Sequence, residues 1–102
     1  MRIDTEPSTI ETSVTASSIS VNPARTYTIA HDNEDAAHAL DRSTIYLGFN
    51  AAAPDGTVGI NKFKLLAGRA VDIGPGVEVV QYKSAGGAPT FAIAPGIRTQ
   101  DR

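Results

Sequence analysis

Between Thr44 and Ile97 the chain repeats one pattern: short runs of alternating apolar residues, each closed by a turn bearing glycine or proline. Thr44-Ile45-Tyr46-Leu47-Gly48-Phe49 places Ile45, Leu47 and Phe49 on one face. Ala53-Pro54-Asp55-Gly56 then turns, with proline setting φ and glycine taking a positive φ. Phe63 and Leu65 alternate with Lys62 and Lys64, Leu66-Ala67-Gly68-Arg69 turns again, and Val71 and Ile73 follow. A period of two bounded by such turns is the signature of strands. Downstream, Gly74-Pro75-Gly76 is a sharp loop, and Val77–Tyr82 carries apolar residues on both faces, as a central strand does. Ser84-Ala85-Gly86-Gly87-Ala88-Pro89 turns the chain into Thr90-Phe91-Ala92-Ile93, the last strand expected.

Upstream, Arg25–Ile29 alternates with Tyr27 and Ile29 inward. His31-Asp32-Asn33-Glu34-Asp35 is a polar loop, and Ala36–Leu40 predicts one helical turn with Asp35 as N-cap. About seven strands at this spacing predict an all-β fold, a small antiparallel sandwich or jelly-roll-like barrel. The domain is assigned to residues 25–97, followed by a polar tail, 98–102.

Residues 1–24 differ in composition. Eight Ser and Thr residues lie between Pro7 and Pro23, and the large apolar residues there are Ile10, Val14, Ile19 and Val21. Ile10 and Val14 share one parity and Ile19 and Val21 the other, so the alternation slips near Ser17-Ser18, where a bulge or bend is expected. Such Ser/Thr richness ordinarily means disorder. Read instead with its spaced hydrophobes, the segment is an extended N-terminal arm held by a neighbouring subunit through packing or strand addition. Ile3, Ile10, Val14 and Ile19 are its anchors, and removing the arm is expected to leave the domain folded.

With 102 residues the chain is one domain, able to bury roughly 60–70% of its unfolded surface. Only three Phe, three Tyr and no Trp fill its core, so a partner surface would add needed stability. The net charge is −2, with 11 acidic and 9 basic residues dispersed along the chain, which argues against a nucleic-acid binder. No cysteine is present, so disulfides and thiolate metal sites are excluded. No apolar h-region follows Met1, and no apolar run reaches the length of a membrane span.

Catalytic patterns are absent. His31 and His38, with Asp32, Glu34, Asp35 and Asp41 nearby, could suggest a divalent-metal site. Their spacing of seven does not put two ligands on one helical face, and the acidic run lacks the glycine and spacing of a calcium loop. A solvated acidic loop fits better. No serine sits in a Gly-x-Ser-x-Gly elbow, and the glycine pairs lack the Lys-Ser/Thr of a phosphate loop. Neither enzyme activity nor a cofactor is expected. A different class, a carbohydrate-binding sandwich, would need Tyr27, Tyr46 or Tyr82 exposed to stack on sugar rings.

The order Thr44-Ile45-Tyr46-Leu47-Gly48, a loop, then Phe63-Lys64-Leu65-Leu66-Ala67-Gly68-Arg69-Ala70-Val71-Asp72-Ile73 resembles a recurring module of tailed-bacteriophage virion proteins. Those small β domains carry a Tyr-(Ile/Leu)-Gly strand and a Leu-x-Pro/Ala-Gly turn leading into an alternating strand. The likeness covers roughly residues 25–95, and the chain departs from it in the long Ala52–Lys62 loop and the 24-residue arm. It implies a structural, non-enzymatic role: a capsid decoration (cement) protein that bridges neighbouring subunits, or a neck or tail adaptor. The implied partners are the major capsid protein or other virion subunits and further copies of the chain, a trimer being one arrangement. Nucleic acid and membrane are not among them. The implied location is the virion, assembled in the host cytoplasm. The single-domain size, the arm, and the lack of any tail-tube or coiled-coil segment favour decoration.

Overall fold

The computed structural model describes residues 2–3 (backbone only), 7–31, 33, 38–57 and 59–96. Among them, nine strands form two sheets around one core. The strands are β1 (Arg2–Ile3), β2 (Ser8–Glu11), β3 (Ser17–Val21), β4 (Tyr27–Ala30), β5 (Ile45–Phe49), β6 (Lys62–Leu65), β7 (Ala70–Ile73), β8 (Val79–Ser84) and β9 (Thr90–Pro95). One sheet runs β1-β3-β8-β5-β6 and the other β2-β9-β4-β7. All pairings are antiparallel except β1 with β3. The fold is an all-β sandwich.

Alternation decides which side chains meet. Ile19 and Val21, Val80 and Tyr82, Ile45, Leu47 and Phe49, and Leu65 are buried in the first sheet; Ile10, Phe91 and Ile93, Tyr27 and Ile29, and Ile73 are buried in the second. Full burial of each such side chain is worth roughly 1.5–3 kcal/mol. Tyr82 on β8 meets Phe91 on β9 edge to face, with centroids 5.3 Å apart and planes at 75°. This contact joins the two sheets near their middle. β8 is the third of five strands, the central position its two-faced apolarity predicts.

The segment read as an arm is built differently. β2 pairs with β9 in the second sheet, and β3 pairs with β8 in the first. The slip in alternation is where the chain leaves one sheet for the other: a bend at Val14-Thr15 separates the two strands. Because the sheets face each other, the inward parity must be reset on crossing. Thr9, Ser18 and Ser20 sit at the outward positions, and Ile10, Ile19 and Val21 supply the buried inward ones. The crossing is tied down by Thr12, which donates through Oγ1 to the Pro89 carbonyl at 2.6 Å, and by Ser84 N–H donating to Ser13 O at 2.8 Å.

The helical turn also shifts. A 3-10 turn spans Ala39–Arg42, with His38 as N-cap: its Nδ1 accepts from Leu40 N–H at 3.2 Å. The expected cap, Asp35, lies outside the described residues.

Candidate interaction surfaces

Loop 50–61 is the most distinctive surface element. It leaves β5 at Asn50, whose positive φ of 60° reverses the chain, and folds back over the outer face of the first sheet. Gly48 explains why it can lie so close. A Cβ there would collide with the Ala52 carbonyl, so the glycine of the Tyr46-Leu47-Gly48 motif is the floor on which the loop rests. Gln81 on β8 holds the loop from beside it, donating through Nε2 to Asn50 O at 2.6 Å and Ala52 O at 3.0 Å. Tyr46 lies under Gly56, and Pro54 is buried.

Further along the loop, Asp55 accepts from Thr57 N–H at 3.1 Å, from Thr57 Oγ1 at 2.6 Å and from Lys62 Nζ at 3.1 Å. The Thr57 bonds first, then Lys62, hold the Asp55 carboxyl well below the usual carboxylate range. These restraints present Ile60, in the tight turn before β6, at 90% exposure. Among the described residues Val14, Leu40, Phe63 and Leu66 are the other exposed large apolar side chains. Ile60, Phe63 and Leu66 are neighbours along β6 and its flanking turns, the last strand of its sheet.

The expected anchors fall in different places. Ile10 and Ile19 are buried in the chain's own core, so neither is available to a partner in the folded domain. Val14, at 59% exposure on the crossing bend, is open to one. Ile3 has its backbone in β1, opposite Val21, and its side chain lies outside the described residues. In the 86–89 turn, Pro89 is buried and Gly87 abuts the 3-10 turn, a Cβ at its φ of 62° falling 2.5 Å from Leu40 Cβ.

His31 is fully buried. Its Nε2 donates to Ser43 O at 2.7 Å, and its Nδ1 accepts from Asn33 N–H at 3.4 Å. One neutral tautomer satisfies both bonds, and each ring nitrogen is engaged by backbone. His31 is therefore a pin between the 31–33 segment and Ser43, with no ring nitrogen left for a metal. Asp32, Glu34 and Asp35 lie outside the described residues; among those described, no three His, Cys, Asp or Glu side chains converge. Tyr27 and Tyr82 are buried, and Tyr46 is half-buried beneath the loop. The three rings make no sugar platform. No described helix is long and apolar enough to cross a membrane.

Sequence reasoning found the long Ala52–Lys62 loop but not how it is held. The signal was Gly48: a glycine on a strand whose neighbours are all large marks a close backbone approach. No family model, no curated protein and no solved structure matches this chain.

Proposed function

We propose that this chain is a structural virion protein that decorates a phage capsid and reinforces it by bridging neighbouring capsid subunits. The observation that carries the reading is the pinned segment 50–57 together with the exposed Ile60 before β6. A loop pinned by Gly48, Gln81 and Asp55 and ending in a nearly fully exposed isoleucine is shaped to insert an apolar side chain into another surface. Presenting Ile60 on a rigid support lowers the ordering cost of binding. Val14, on the bend at the crossing between sheets, supplies a second apolar contact. The resemblance of residues 25–95 to tailed-phage β modules supplies the identity of the assembly. The chemistry is additive: each copy contributes a small contact, and many copies on a shell make the contribution large.

The test is reconstitution. Purified protein is mixed with undecorated heads, the particles are sedimented, and bound copies are counted by quantitative electrophoresis. Decoration gives hundreds of copies per particle. Ile60→Ser should reduce the bound number several-fold while leaving the fold, followed by circular dichroism, intact. A dozen copies or fewer would indicate a neck or tail adaptor instead. No binding to heads, tails or whole particles would remove the virion reading.

A further inference from the structure

β6 ends one sheet and β7 ends the other, and the four residues 66–69 join them. Such a link spans at most about 17 Å, against a sheet separation of about 10 Å. The two strands therefore start their turn from the same end of the sandwich and run in opposite directions along one flank. Among the described residues both edges lack a strand partner, and they do so in the same phase. Phe49 N–H donates to Asn61 O at 2.8 Å, continuing the register Leu47↔Phe63 and Ile45↔Leu65. Phe63 and Leu65 thus face β5, and Lys64 turns its N–H and C=O outward. On β7, His31 N–H donates to Arg69 O at 2.9 Å, continuing Ile29↔Val71 and Tyr27↔Ile73. Ala70 and Asp72 are then the residues whose backbone points away from β4.

We propose that this flank closes a two-fold dimer in which β6 of each copy pairs antiparallel with β7 of the other. A two-fold axis parallel to the strands forms both pairings at once and keeps each pair in a common plane, with inner faces on the same side. Setting Lys64 opposite Asp72 of the second copy satisfies the phase of both edges. It also sets Phe63 against Ile73 and Leu65 against Val71 on the apolar side. Phe63 is the inner-face residue left 38% exposed at this edge, and the second copy covers it.

Charge selects this arrangement. An axis lying in the flank and perpendicular to the sheets would pair β6 with β6 and β7 with β7, bringing Lys64 against Lys64 and Asp72 against Asp72. Like charges directly opposite are destabilising, and opposite charges are favourable. Asp72 also accepts from Thr28 Oγ1 at 2.6 Å, which fixes its carboxylate on the outer face where Lys64 would meet it. A three-fold ring of the same edges would fold the paired strands out of one plane and spoil their N–H···O geometry. An edge lysine commonly deters pairing; here the second copy brings the carboxylate that answers it.

Sedimentation of the full chain across a concentration series tests this, with hydrogen exchange at the Lys64 amide. A monomer–dimer equilibrium is expected, with Lys64 protected only in the dimer. Lys64→Glu should weaken the dimer about tenfold or more, because symmetry repeats the change twice, and Lys64→Glu with Asp72→Lys should recover most of the loss. Lys64→Pro removes the outward N–H without touching the β5 pairing and should abolish the dimer while circular dichroism stays β. A monomer at every concentration, a trimer, or a dimer indifferent to Lys64→Glu and Lys64→Pro overturns the proposal. Particle binding is read separately, so either result stands without the other.

Discussion

Single residues decide how closely the layers of this protein approach. Gly48 is the sharpest case: the Ala52 carbonyl occupies the space a side chain would need, and the obstacle is backbone. Gly48→Ala is expected to destabilise the domain by about 1–3 kcal/mol, the range for overpacking, and to lift the 50–57 segment off the sheet. Urea denaturation measures the first, and faster amide exchange at Ala52 reports the second. His31 is a different kind of residue. From sequence it stood beside carboxylates and suggested chemistry. In the fold it is a buried pin whose two nitrogens both answer backbone groups. Sequence spacing could not show this, because the partner carbonyl belongs to Ser43, twelve residues away and brought close by the 3-10 turn.

At the scale of elements, the N-terminal segment and the long loop carry the clearest expectations. β2 and β3 belong to the sheets, and Ile10, Ile19 and Val21 belong to the core. Deleting residues 1–21 therefore should unfold the domain, seen as loss of the β signal in circular dichroism and of the cooperative thermal transition. A truncated protein that keeps both would restore the reading of an arm. The loop makes a pH prediction through Asp55. Its folded-state carboxyl lies below its unfolded value, near 4. The stabilisation is complete above that value and is lost as pH falls through the lower, folded one. The loop should hold its structure at pH 4 and loosen only well below it. Asp55→Ala should loosen it at neutral pH as well. The Thr57 amide resonance, followed by NMR from pH 7 downward, checks both.

These two elements show what the residues revealed. The strands from Ile45 to Ile93 were legible because turn residues bracket clean alternation, and each has its strand in the structure. β2 and β3 were visible as alternation too, including the slip between them. Their destination was not, because most of their remaining positions carry the Ser and Thr that also compose disordered tails. Nothing local marks that β9 and β8 wait to pair with them.

At the scale of the molecule, one core is shared by both sheets, and strands from the first quarter of the chain pair with strands from the last. Stability should therefore be all-or-none, and folding slow, because long loops must close before those pairings reward it. Stopped-flow refolding in the millisecond-to-second range, with fluorescence and circular dichroism giving coincident transitions, is the expected result; microsecond folding or separated transitions would contradict it. Periodicity and turn chemistry by themselves determined the all-β class, most of the strands, and the central place of the strand ending the chain's longest two-faced apolar run. Only the tertiary structure decided that the polar N-terminal stretch lies within the sandwich, that Gly48 is a floor for a loop, and that β6 and β7 are the last strands of their sheets. The reason is physical. Alternation records which way each side chain points along its own strand. Strand order, sheet crossing and close approach depend on partners tens of residues away, which no local pattern encodes.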